Sequence, residues 1–136
     1  MCKMTGRPAD DTQSILSNVY EIVCDFASQR SERQRRRELI KEDFDRLQES
    51  GYLMVAVPTV FGGIWDGDSS GTRLVCEILK TLAHGDSSVA LVAAMHPAVI
   101  ESTGWLSISA APEPYTSTWD EQRRWAFQTM HEGHFW

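Results

Sequence analysis

The run VALVAAMHPAVI, Val89 to Ile100, constrains the fold more than any other part of the chain. From about Ser87 to Ser102 a helix would be apolar on nearly every side and almost free of charge, the pattern of a helix packed among other helices. A chain holding such an element must supply neighbours whose apolar stripes close around it. The run also carries its own interruption. Pro97 has no backbone N–H, so the sequence predicts a bend, or a carbonyl near Ala93 that has lost its helical donor. His96 stands where Val92, His96 and Val99 share a helical face, and an imidazole there requires a hydrogen-bond partner or a wet cavity.

The neighbours are legible from their spacing. Ile15, Val19, Ile22 and Phe26, widened by Leu16 and Val23, predict a first amphipathic helix. Ile40, Phe44 and Leu47 predict a second, with Gly51 where a left-handed C-terminal cap belongs. Ser69 or Ser70 caps a third, whose Leu74, Val75, Ile78, Leu79 and Leu82 share a face before Gly85 ends it; Asp86 caps the fourth. Pro112 and Pro114 mark GWLSISAAPEPYTST as a loop. Thr118 and Glu121 then form an S/T-x-x-E box opening a fifth helix, with Trp119, Ala126 and Met130 on one side and Gly133 near its end. The exception is GYLMVAVPTVFGG, Gly51 to Gly63, which reads as a short extended apolar run without a partner strand. The expected architecture is all-α: one helical domain over residues 1–136, with about five helices and one short extended segment.

Charge and composition exclude several functions. With 13 Lys+Arg against 19 Asp+Glu the net charge is −6, so the chain as a whole is not drawn to nucleic acid or anionic lipid. Its longest apolar run falls short of the ~20 residues that span a bilayer, and MCKMTGRPADD lacks the apolar centre of a signal peptide. Cys2, Cys24 and Cys76 form no C-x-x-C pair and read as free thiols, so a cytoplasmic location is expected. The crowded Arg30, Arg33, Arg35, Arg36 and Arg37 read as a solvated helix face or connector in preference to a partner-binding patch. His131 and His134 lack H-E-x-x-H spacing, and no metal site is expected. FGG matches no phosphate-loop pattern, and no serine, cysteine or histidine has the context of a nucleophile.

In order, LIKEDFDRLQESGYLMVAVPTVFGG, a polar turn and RLVCEILKTLAHGDSSVALVAAMHPAVI resemble the N-terminal helical domain of FAD-dependent acyl-CoA dehydrogenases. The shared features are the helix ending at Gly51, the run to Pro58, the Phe61-Gly62-Gly63 turn, the Gly85-Asp86-Ser87-Ser88 turn and the helix after it. WDEQRRWAFQTMHEGHFW is similar to the family's last helix before its β domain. The resemblance implies that the Val55–Gly63 segment runs along the domain edge, and that Phe61, Gly62, Gly63, Val92, Met95, His96 and Val99 line a cleft for substrate and flavin. It also implies that the FAD-holding middle β domain would begin beyond Trp136, and that a C-terminal helical bundle supplies the catalytic base. On that footing no catalytic residue is assigned here. FAD belongs to the complete enzyme and is not expected on this chain alone, and the substrate is an acyl-CoA or another small molecule. A related branch, the reduced-flavin monooxygenases, places a histidine near the flavin where His96 falls. From a different class, a non-enzymatic helical interaction module would keep the fold without the chemistry. A weak homodimer is also expected, burying Phe61, Trp65 and Phe135-Trp136.

Overall fold

A computed structural model of the chain describes residues 8–65, 69–102 and 111–135. The described residues are mostly helical: α1 (Pro8–Ser28), α2 (Arg30–Arg35), α3 (Lys41–Glu49), α4 (Ser69–Gly85), α5 (Ser87–Ala93), the short turn α6 (Met95–Pro97), a π-turn over Ala98–Ser102, and α7 (Trp119–His131). No strand occurs among them, and no helix among them is long and apolar enough to cross a membrane.

The helical stripes read from the sequence form the core. Ile15, Val19, Ile22, Val23 and Phe26 of α1 meet Val75, Ile78 and Leu82 of α4 and Val89, Ala90 and Ala93 of α5 in one buried cluster, with Leu47 of α3. Leu16, Phe44, Leu74 and Leu79 pack at its margin. A second, smaller cluster joins Ala126, Phe127 and Met130 of α7 to Ile100 of the π-turn and to Ala56 and Val57.

The Gly51–Gly63 stretch corrects one expectation. It is not extended: two 3-10 turns, Tyr52–Met54 and Thr59–Phe61, fold it back on itself, and its one β feature is an isolated bridge between Pro58 and Trp65. Nor does its first half lie on an edge. Tyr52, Leu53 and Val55 enter the larger cluster, whereas Ala56 and Val57 enter the smaller, so the segment is the seam between the two cores. That explains an apolar run without strand alternation: successive residues are buried in different directions. Its backbone groups pair within the loop, Ile64 N–H with Met54 O at 3.2 Å, Trp65 N–H with Val57 O at 3.0 Å and Thr59 N–H with Trp65 O at 2.9 Å. Gly63 is required by this closure, because a Cβ there would collide with the Val57 carbonyl.

Element ends follow the sequence closely at Gly51, whose φ of 90° places it in the left-handed region, and at Asp86, whose Oδ1 accepts from the N–H groups of Ser88 and Val89 at 2.9 and 3.1 Å. At α7 the helix begins as expected, but the box at Thr118 and Glu121 forms no side-chain cap bond. A 3-10 turn, Thr116–Thr118, feeds directly into the helix, so Thr118 is already helical and its hydroxyl turns back to Tyr115 O. The far end closes with Gly133 at φ 91°, Gly133 N–H bonded to Met130 O and His134 N–H to Thr129 O, both at 3.0 Å. This reversal carries Phe135 back onto the larger core.

The apolar helix departs most from expectation. It is divided into α5, α6 and the π-turn, and it is not enclosed on all sides: Leu91 is 72% exposed, Val92 43% and Met95 58%.

Candidate functional site

The division of that helix starts at Pro97. Without an N–H at residue 97, the carbonyl of Ala93 has no helical donor, and the Tyr52 hydroxyl donates to it at 2.8 Å. One residue before the proline, the His96 ring is fully buried, with Nε2 3.1 Å from Leu53 O. A carbonyl only accepts, so this contact places a proton on Nε2. The helix is thus bonded on its inner side to two consecutive residues of the seam, Tyr52 and Leu53. Phe135 completes the packing, its ring centroid 5.4 Å from His96, 6.0 Å from Tyr52 and 5.6 Å from Phe44. Burial lowers the His96 pKa, and the Leu53 bond opposes this without reversing it.

The sequence-derived residues fall into three places. His96 turns into the core. Val92 and Met95, with Leu91, open outward from the same helix, and Val99 is half-buried beside Ile100. The Phe61-Gly62-Gly63 turn lies against α7: the Phe61 ring packs on Phe127 at 4.7 Å, and His131 Nε2 donates to Phe61 O at 2.8 Å. Phe61 also flanks the cluster that contains Ile100, so the turn and the π-turn share one small core.

The residues expected in a homodimer contact have the following places within the chain. Phe61 and Phe135 pack within the chain, Trp65 is half-buried and presses on Gly71, and Trp136 lies outside the described residues. The outward apolar side chains on the helix that holds His96 are Leu91, Val92 and Met95.

A second constellation was not legible in sequence. Arg33 is buried, contrary to the expected solvated face. Its guanidinium holds both Asp43 oxygens at 3.1 and 2.7 Å, donates through Nε to Asp86 at 2.8 Å and lies 3.7 Å from the Phe26 ring centroid. Arg36 adds a bond to Asp43 at 2.6 Å. Burial works against the Arg33 charge, but the bonds and charges of Asp43 and Asp86 outweigh it and raise its pKa. Asp86 is likewise penalised by burial, yet the Val89 amide and Arg33 leave its pKa below the ordinary carboxylate value. This network ties α2 and α3 to the start of α5. The only sequence signal for it was the cap at Asp86; Arg33 lies 53 residues away from that cap.

No group of three or more His, Cys, Asp and Glu side chains that could hold a metal gathers among the described residues. The chain matches no protein-family model, no curated protein and no solved structure.

Proposed function

We propose that this chain is the N-terminal helical domain of an acyl-CoA dehydrogenase-like, FAD-dependent oxidoreductase, contributing one wall of the substrate and flavin cleft and no catalytic group. The observation that carries the reading is the outward face Leu91–Val92–Met95 on a helix whose opposite side is in the core. Large apolar side chains grouped on one face suit a surface that another body covers. Val92 and Met95 are two of the residues that the family resemblance assigns to the cleft. On this reading the β domain that holds FAD and the bundle that bears the base lie outside these 136 residues. This domain supplies shape and exclusion of water while the α-proton leaves and the β-hydride passes to the flavin.

His96 then acts from behind the wall: bonded to Leu53 and packed on Phe135, it fixes the backbone that presents Met95. A role for its ring at the flavin, as in the monooxygenase branch, gains no support from a side chain buried in this direction.

The test is a photo-crosslinking amino acid at position 95 of the protein produced in its native cells, with Tyr20, exposed on α1, as control position. The expected product joins position 95 to a flavin-bearing polypeptide region, and the native preparation oxidises acyl-CoA with a dye acceptor. The 136-residue chain alone should be colourless. A native preparation without flavin, with position 95 captured by a protein of another kind, would replace this reading with the interaction module.

A further inference from the structure

A cleft of about 310 Å3 opens where α2 passes the junction of α4 and α5, lined by the first residues of the helix whose later residues Leu91 and Val92 form the face just described. Its polar lining is Arg30, Arg33, Gln34, His84, Asp86, Ser87 and Ser88. Its lining is mostly polar side chains that donate hydrogen bonds. The helix terminus is not the source of those donors, because Asp86 Oδ1 already takes the Ser88 and Val89 amides.

The charge balance decides which ligand suits it. Arg33 and Arg36 are matched by Asp43 and Asp86, two cations against two anions, and both Asp86 oxygens are engaged, Oδ1 by amides and Oδ2 by Arg33. An anion entering the cleft therefore does not meet a bare carboxylate. Arg30 is the excess cation: among the described residues no carboxylate pairs with it. Its Nη2 donates to the His84 carbonyl at 2.6 Å, which holds the side chain at the cleft and leaves other N–H groups of the fork for a ligand. The chain's net charge of −6 does not cancel this, since at physiological salt charges beyond a Debye length of ~8 Å are largely screened.

We infer that this cleft binds a phosphate group, as inorganic phosphate or a small phosphate monoester, through Arg30 with Gln34, Ser87 and Ser88. A guanidinium fork matches the spacing of phosphate oxygens, and the amide and hydroxyl groups serve the oxygens the fork does not reach. The volume exceeds the ~30 Å3 share of a water molecule about tenfold, so the ester carrying the phosphate also fits. The lining is more polar than apolar, which favours a compact polar ester over a molecule that must bury an aromatic ring.

The experiment is a titration of the full chain with inorganic phosphate at constant ionic strength, followed by amide and arginine side-chain NMR, with chloride as the matched anion. Saturable shifts at Ser87, Ser88 and the Arg30 side chain are expected in the millimolar range, with none from chloride. Arg30→Ala should weaken binding by about tenfold or more, because a charge-assisted bond is lost; Arg30→Lys should fall between, keeping charge without the fork. Ser88→Ala should weaken binding less than Arg30→Ala. Arg30 is exposed, so its variants should keep the native amide dispersion, which the same spectra verify. Unsaturable shifts, an equal response to chloride, or unchanged binding in folded Arg30→Ala would each overturn the assignment.

Discussion

The hydroxyl of Tyr52 donates to the carbonyl of Ala93 at 2.8 Å, and that carbonyl is the one Pro97 leaves without a helical donor. A defect written into one helix is thus filled by a residue 41 positions away. Tyr52→Phe keeps the ring and removes the donor, leaving a buried carbonyl unsatisfied, and should destabilise the fold by about 1–3 kcal/mol in urea denaturation. The effect depends on the proline: in a Pro97→Ala background, where residue 97 regains an N–H, Tyr52→Phe should have a smaller effect. Equal losses in both backgrounds would show that the two residues are not coupled.

His96 gives the fold an acid sensitivity of definite sign. Its folded pKa lies below the ordinary value of 6.5, so below that pH the unfolded chain binds the proton more readily than the folded one. Stability is therefore fully present above pH 6.5 and falls as the pH drops toward the folded pKa, by at most ~1.4 kcal/mol per pH unit. His96→Gln can still donate to Leu53 O and carries no titrating proton. It should remove the difference in stability between pH 7.5 and 5.5 that the native chain shows, as read by denaturant unfolding at each pH. An unchanged difference in the variant would assign the sensitivity to other groups.

Arg33 holds three elements, and its loss leaves the buried Asp43 and the half-buried Asp86 with fewer partners. Arg33→Ala should destabilise by about 3–5 kcal/mol. Arg33→Lys should recover little, because an ammonium cannot bond both Asp43 oxygens and Asp86 in the geometry of the fork. Thermal unfolding distinguishes this from a surface pair: Lys41→Ala, which breaks an exposed bridge to Asp45, should change stability by less than about 1 kcal/mol.

Gly63 tests the closure of the seam. Gly63→Ala places a methyl group against the Val57 carbonyl, which belongs to backbone and cannot swing aside. Destabilisation of at least about 1–3 kcal/mol is expected, with loss of protection of the Trp65 amide, which donates to that carbonyl, in hydrogen exchange. A stable Gly63→Ala chain with native exchange at Trp65 would contradict the close approach of Gly63 to Val57.

The outward face should behave in the opposite way. Leu91→Gln and Met95→Gln remove exposed apolar groups and should change stability by no more than about 0.5 kcal/mol, whereas Ile100→Ala, wholly buried on the same helical stretch, should destabilise by about 2–5 kcal/mol. Calorimetric melting of the three variants separates the face from the core.

The spacing of apolar residues was enough to place the longer helices and their buried stripes. Ile15, Val19, Ile22 and Phe26 on α1 and Val75, Ile78 and Leu82 on α4 lie where the period of 3.6 residues puts them, because burial of a helical stripe is a local property of spacing. The cap at Asp86, the left-handed Gly51 and the bereft Ala93 carbonyl were legible for the same reason: each is a demand set within a few residues. What satisfies such a demand is set by packing. Long-range packing selects Tyr52 for Ala93 and Leu53 for His96, and it brings Arg33 inside to meet Asp43 and Asp86. It also decided that Gly51–Gly63 folds into turns. An apolar run without alternation fits an extended segment or a coiled one equally well, and two cores on either side of the chain selected the coiled form. That Leu91, Val92 and Met95 stand outward does not follow from the apolar pattern, for a related reason: hydrophobicity reports that a side chain prefers cover, and the surrounding elements settle whether this chain provides it.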